Sequence, residues 1–178
     1  MNRMRIAFGL CNTLMDVYEE NYIESRLRPG AVDLLKELKR DGHILILWTS
    51  LKKRKVNFVK ALFKDFFKLF NEIYCYEDFD LLEKIPDCSE HQFKNIERIS
   101  ADCLIESKKN YREYSNNLSL SKKYLIIDKY RECLYRQPSN WKIRVLGEEV
   151  FDAWQKRIQN REEWVYDVLS FVDKMSVL

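Results

Sequence analysis

Three short polar segments in this chain each close an apolar run, and together they hold the side chains best suited to chemistry. Gly9 to Thr13 follows the run at 4–10, Thr49-Ser50 follows the run at 43–48, and Asp128 follows the run at 123–127. Hydroxyls in such places hydrogen-bond an anion or cap a helix, and a carboxylate there holds a metal or a helix end. Cys75, Cys88, His91 and Cys103 offer soft ligands for zinc, but their spacing matches no standard finger. Lys52, Lys53, Arg54 and Lys55, with Lys60, Lys64 and Lys68, form a basic stripe. It could meet the phosphates of nucleic acid or lipid. The reading preferred here is a solvated face of an amphipathic helix, so no nucleic-acid partner is expected.

Composition limits the setting in which these residues act. The chain has 178 residues, enough for one domain with at most a small insertion. Apolar residues make up 46%, a normal globular fraction. The 31 basic and 28 acidic residues leave +3, so overall charge selects no polyanionic partner. The 5 cysteines are an odd number without a CxxC pair, which points to reduced thiols and a cytoplasmic compartment. No apolar run approaches the roughly 18–20 residues of a membrane span, and the N-terminus does not read as a secretory signal.

The segments that must position the polar residues alternate in type. Residues 4–10 read as a buried strand, and residues 29–40 as a helix with Pro29 in its first turn and Val32, Leu34, Leu35 and Leu38 on one face. Asp41-Gly42 stops that helix, and residues 43–48 (HILILW) read as a central parallel strand that opens on a structural His43. Residues 52–70 read as one basic amphipathic helix whose apolar side carries Val56, Val59, Leu62, Phe63, Phe66, Phe67 and Phe70. Strands are expected at 72–76, 123–127 and 141–146. A helix is expected near 90–100 within a poorly patterned 80–120 segment that could be a small insertion. Helices broken near Asn160 are expected over 148–178, with Trp154 and Trp164 as core or interface anchors. This alternation predicts an open parallel α/β sheet flanked by helices, with ligands beyond the carboxyl ends of the strands.

The same residues resemble a family. Phe8-Gly9-Leu10-Cys11-Asn12-Thr13-Leu14 is similar to the first motif of the haloacid dehalogenase (HAD) superfamily, F-D-x-D-x-T-L. Leu27-Arg28-Pro29-Gly30 and Leu47-Trp48-Thr49-Ser50 resemble the L-R-P-G and L-W-T-S pattern of its branch of RNA polymerase II C-terminal-domain phosphatases and NLI-interacting-factor proteins. Tyr124 to Asp128 is similar to the fourth motif, and Pro138-Ser139-Asn140 also fits that branch. The resemblance spans roughly residues 4–50 and 104–146, and it implies a single Rossmann-type domain.

What the resemblance implies about activity turns on two positions. The family's nucleophilic and acid/base aspartates fall on Gly9 and Cys11. Glycine has no side chain to attack phosphorus, and a thiol is a poor ligand for the hard Mg²⁺ ion. Asp128 is left as the sole candidate metal ligand, followed by Lys129, so neither Mg²⁺ nor any other cofactor is expected. The implied phosphate cradle is the loop Leu10, Cys11, Asn12 and Thr13, with Thr49 or Ser50, and a third-motif cation among Lys108, Lys109 and Arg112. The expected function is that of a pseudophosphatase: a binding or scaffold protein with an unknown protein partner, able to hold phosphate or sulfate without metal. The alternatives are an active phosphatase of atypical mechanism and a nucleic-acid-associated protein using the basic helix.

Overall fold

The computed structural model describes residues 2–17, 22–78, 96–107, 123–127 and 163–177. Five strands form one parallel sheet: β1 (Arg5–Phe8), β4 (Ile44–Trp48), β5 (Glu72–Tyr74), β6 (Cys103–Glu106) and β7 (Tyr124–Ile126), in the order β5-β4-β1-β6-β7. Two further short strands, β2 (Met15–Asp16) and β3 (Arg26–Leu27), pair antiparallel beside it. The expected α/β class is therefore the observed one. From β1 the chain steps outward to β4 and β5, then returns to build β6 and β7 on the other side. The reversal falls between β1 and β6, and in open sheets that junction is where ligand crevices form.

Side chains alternate across this sheet, as the pleat requires. Ile6 and Phe8 of β1 join a cluster with Leu45, Leu47, Cys103 and Ile105, while Ala7 joins Ile46, Trp48 and Leu104 in the cluster on the opposite face. Both faces are covered, which is why β1 and β4 read as unbroken apolar runs rather than alternating ones. The first cluster also takes in Ala31, Leu34, Leu35 and Leu38 of α1 (Ala31–Arg40) and Val56 and Val59 of α2 (Lys53–Leu62). Phe66 and Phe67 of α3 (Lys64–Phe67) and Trp164, Val168 and Val172 of α4 (Glu163–Ser176) complete it.

Several sequence expectations are adjusted. Helix α1 starts at Ala31, because Pro29-Gly30 forms the turn before it and Gly30 takes a left-handed φ of 80°. It ends as expected at Asp41 and Gly42, the latter with φ 89°. The single helix expected over 52–70 is two helices, broken where Phe63 leaves helical geometry at φ −120° and ψ 48°. Past the break, Phe66 meets Phe67 and Phe70 edge-on, each at 5.4 Å. Leu62 stands at the edge of the buried stripe by helical spacing and stays 45% exposed. Of the helix expected near 90–100, the described part is a 3-10 turn at Ile96–Ile99, and residues 90–95 lie outside the described residues.

The main omission is β6, an inner strand inside the poorly patterned 80–120 segment. That part of the segment belongs to the sheet and not to an insertion. The expected strand at 141–146, Pro138-Ser139-Asn140, Trp154 and the break near Asn160 lie outside the described residues. Among those described, no helix is long and apolar enough to cross a membrane.

At the amino ends of the strands, Arg5 bonds Glu72 at 2.8 Å, and Tyr74 donates its hydroxyl to the same carboxylate at 2.7 Å. Beside them His43 is only 4% exposed, and its Nδ1 accepts the Met4 N–H at 3.2 Å. Burial holds the His43 pKa below its ordinary 6.5, and a proton on Nδ1 would break the Met4 bond. Below pH 6.5 the unfolded chain therefore binds a proton that the folded chain resists, so stability falls as pH drops from 6.5 toward the lower folded value. Urea midpoints between pH 8 and pH 5 should decline across that window, and His43→Gln should flatten the decline.

Candidate functional site

The site is built where β1 and β6 end side by side. Phe8 pairs with Ile105, so the next residues, Gly9 and Glu106, stand opposite one another, and the Gly9 N–H donates to Ile105 O at 2.9 Å. Residues opposite one another in a parallel pair share a face, about 4.8 Å apart. A glutamate can therefore lay its carboxylate over a neighbouring glycine. A Cβ built on Gly9 would lie 2.5 Å from both carboxylate oxygens of Glu106. The space that any side chain at position 9 requires is filled from the adjacent strand.

The Glu106 carboxylate is locked in place. Thr13 donates its hydroxyl to Glu106 Oε1 at 2.7 Å, the short distance of a charge-assisted bond. The Ser107 N–H donates to the same oxygen at 3.0 Å and to Thr13 Oγ1 at 3.1 Å, and Ser107 Oγ lies 3.1 Å from that hydroxyl. Thr13, Glu106 and Ser107 are each at most 1% exposed. A buried carboxylate is tolerable only with such donors around it.

The loop after Gly9 turns back on itself. Leu10 O accepts the N–H groups of Thr13, Leu14 and Met15 at 3.1–3.3 Å, and the Asn12 N–H donates to Met15 O at 2.7 Å. Asn12 takes a left-handed φ of 60°, which asparagine tolerates better than most residues. Buried Leu10 and Leu14 pin the turn to the core. Arg28, only 5% exposed, donates from Nη1 to Thr13 O at 3.3 Å, and its N–H donates to Leu14 O at 2.9 Å. Its guanidinium carbon stands 4.6 Å from the ring centre of Trp164, whose Nε1 donates to Pro29 O at 3.1 Å. Helix α4 is thereby fastened to the segment that braces the loop.

This geometry adjusts the expected phosphate cradle at Asn12 and Thr13. The N–H groups of Asn12 and Thr13 are spent on carbonyls inside the loop and are not aimed at an anion. The Asn12 Oδ1 atom is buried with no hydrogen-bond partner, an acceptor that calls for a proton donor. The metal-free cradle also presumed a site without carboxylates, and Glu106 supplies one. At an effective dielectric near 20, a carboxylate about 4 Å from an anion costs about 4 kcal/mol before screening. Cys11 is half-buried beside this turn.

The remaining expected site residues are placed as follows. Thr49 lies at the end of β4, next to β1. It is 2% exposed, and its Oγ1 accepts the Leu51 N–H at 3.2 Å, while Ser50 is exposed. Thr49 shapes the turn into α2, whose first residue is preceded by Lys52 rather than by a hydroxyl cap. Lys108, Lys109, Arg112 and Asp128 lie outside the described residues, as do Cys88 and His91.

The zinc and Mg²⁺ possibilities can be weighed on the residues that are described. Cys75 follows β5 at the carboxyl ends of the strands and Cys103 opens β6 at the amino ends, so the two are more than three strand spacings, roughly 14 Å, apart. Burial pushes their thiols up to about 11 and about 12, so both stay protonated at neutral pH. These two cannot share one zinc ion. Among the described residues, no group of three or more His, Cys, Asp or Glu side chains could hold a metal. The residues there also do not fit the Mg²⁺ of the resembling family: Gly9 brings no ligand, Cys11 a thiol, and the Glu106 oxygen nearest Thr13 is already bonded.

Sequence reasoning missed Glu106 and Ser107. The signal was present: Cys103-Leu104-Ile105 is a short apolar run closed by two polar residues, the same pattern as at Asp128. The overlap of Glu106 with position 9 has a measurable consequence. Gly9→Ala should cost about 1–3 kcal/mol, because the carboxylate must leave its Thr13 and Ser107 donors to make room. Glu106→Ala should cost a similar amount. The double variant should be more stable than the sum of the two by about 1 kcal/mol or more, since the collision is gone. Urea unfolding of the four proteins tests this, and strict additivity would show that the two positions do not compete for space.

No protein-family model and no curated protein matches the chain. Among solved structures, the chain is similar to an uncharacterized protein from Listeria monocytogenes serotype 4b. The two share 15% identity at a TM-score of 0.40 over 58% of this chain and 67% of the other. A second solved structure aligns over 96% of this chain and 85% of its own length, with 16% identity and a TM-score of 0.47.

Proposed function

We propose that this protein is a catalytically inactive relative of the HAD phosphatases that works as a binding or scaffold protein. One observation carries the reading. At the strand end where the resembling family keeps its nucleophile, this chain has Gly9, and the space above it is filled by the Glu106 carboxylate. That carboxylate is 1% exposed and held by Thr13 and Ser107, so it is spent on holding the fold together and not presented to a substrate. Loss of the nucleophile and of its acid/base partner removes many powers of ten in rate. The strand order, with β1 central and the reversal between β1 and β6, agrees with the same reading. Fold resemblance by itself says little about activity.

The same carboxylate favours one competing reading, in which Glu106 serves as a nucleophile displaced from β1 to β6. Turnover decides between them. With Mg²⁺ present, hydrolysis of p-nitrophenyl phosphate should stay at background, and inorganic phosphate with or without Mg²⁺ should leave the melting temperature unchanged. Gly9→Asp with Cys11→Asp should not restore activity, because Glu106 occupies the space the new carboxylate needs. Mg²⁺-dependent turnover that disappears in Glu106→Gln would overturn the proposal and establish the displaced nucleophile.

A further inference from the structure

Five large apolar side chains are conspicuously exposed among the described residues, and three of them share one face. Phe58 and Leu62 are 50% and 45% exposed and stand one turn apart on α2. Tyr22 reaches Phe58 from the 3-10 turn Tyr22–Glu24, with the two rings 5.2 Å apart, and Ile23, the next residue, is 75% exposed. Arg54 continues the line one turn before Phe58, so Arg54, Phe58 and Leu62 form a single stripe. The adjoining side of α2 is already committed to the core through Val56 and Val59.

The charges on α2 itself have one sign, while Glu24 of the turn and Asp65 past the helix are acidic. Helix α2 holds Lys53, Arg54, Lys55 and Lys60 and no acidic residue, with Lys52 just before it. Four of these cations sit at the helix start, the positive end of its dipole, where they oppose the helix rather than support it. Glu77 accepts the Lys53 N–H at 2.7 Å and offsets part of that. An apolar stripe framed by cations at an unfavourable helix end is matched by a partner that brings carboxylates and apolar anchors together.

We propose that α2 and the Tyr22–Glu24 turn form a docking surface for an acidic amphipathic helix of a protein partner. Its apolar residues, at spacings of three and four, lie against Phe58, Leu62 and Ile23, and its Asp and Glu side chains face Arg54 and the lysines at the start of α2. This gives the binding protein proposed above its partner, and it rests on that reading for its role though not for its contacts. A bilayer fits less well, because α2 cannot sink with its other face in the core. Nucleic acid fits less well because aliphatic Ile23 and Leu62 offer nothing to phosphates or base edges.

Fluorescence anisotropy on the full chain tests the surface. The probe is a labelled helical peptide with Leu and Phe at positions i, i+3, i+4 and i+7 and Glu elsewhere. A scrambled peptide of the same composition, phosphatidylserine–phosphatidylcholine vesicles and oligo-dT are run beside it. The amphipathic peptide should bind more tightly than all three, and added salt should weaken it. Phe58→Ser with Leu62→Ser should weaken binding about tenfold or more, and so should Arg54→Glu with Lys55→Glu, each in a protein that still unfolds cooperatively, the second with an unchanged or higher melting temperature. Equal binding of the scrambled peptide, tighter binding of vesicles or oligo-dT, or full binding by both variants would overturn the proposal. Turnover is measured separately. Absent binding with background turnover removes this surface and leaves the inactive site standing. Glu106-dependent turnover with intact binding does the reverse.

Discussion

A carboxylate taken out of water must be met by hydrogen-bond donors, and the end of the central strands is organised around that requirement. Glu106 reaches over Gly9 and receives the Thr13 hydroxyl and the Ser107 N–H. Three segments are tied by this contact: the end of β1, the loop after it and the end of β6. The parallel register makes it possible, because Phe8 opposite Ile105 brings residues 9 and 106 level. Glycine at position 9 is thus a packing requirement here. Its backbone takes no left-handed conformation, so the constraint is the carboxylate above it.

The loop bound to Glu106 is held from its other side by Arg28. A buried guanidinium needs acceptors or an aromatic face, and Arg28 has both, in Thr13 O and the Trp164 ring. Trp164 in turn satisfies its indole N–H on Pro29 O. The C-terminal helix, distant in sequence, becomes part of the support of the strand-end loop. The Arg28-Pro29 pair that the resembling family shares thus has a mechanical role in this chain, which is to join loop and helix.

These contacts use up several polar groups at the strand ends, among them the Asn12 and Thr13 N–H groups and the Glu106 carboxylate. Two N–H groups expected to meet an anion, those of Asn12 and Thr13, are used within the loop, and the nearest carboxylate is spent on Thr13 and Ser107. Recognition is then expected on surfaces whose groups are not paired off inside the fold. Helix α2 has such a surface, because its buried stripe uses Val56 and Val59 while Phe58, more than a quarter-turn around the helix, and Leu62, at the edge of that stripe, stay half exposed. The solvated-face reading of the basic stripe holds for its lysines, but it leaves out these two apolar residues.

The sequence by itself determined the class of fold and most of its elements. The runs RIAF and ILILW are strands because both faces are buried, and helix α1 shows its apolar face and its stop at Asp41-Gly42. Local pattern carries such information because period and turn chemistry act between near neighbours. The resemblance also pointed to Gly9 and Cys11 as the positions that decide activity. Strand β6 was hidden because four residues between poorly patterned stretches give too short a period to read. Glu106 was hidden with it, since nothing local says that a glutamate at 106 fills the space above a glycine at 9. The break at Phe63 and the use of the Asn12 and Thr13 N–H groups were likewise settled by packing. Only tertiary structure could decide these points, because each depends on what a strand pairing or a packed helix brings within a few ångströms from far along the chain.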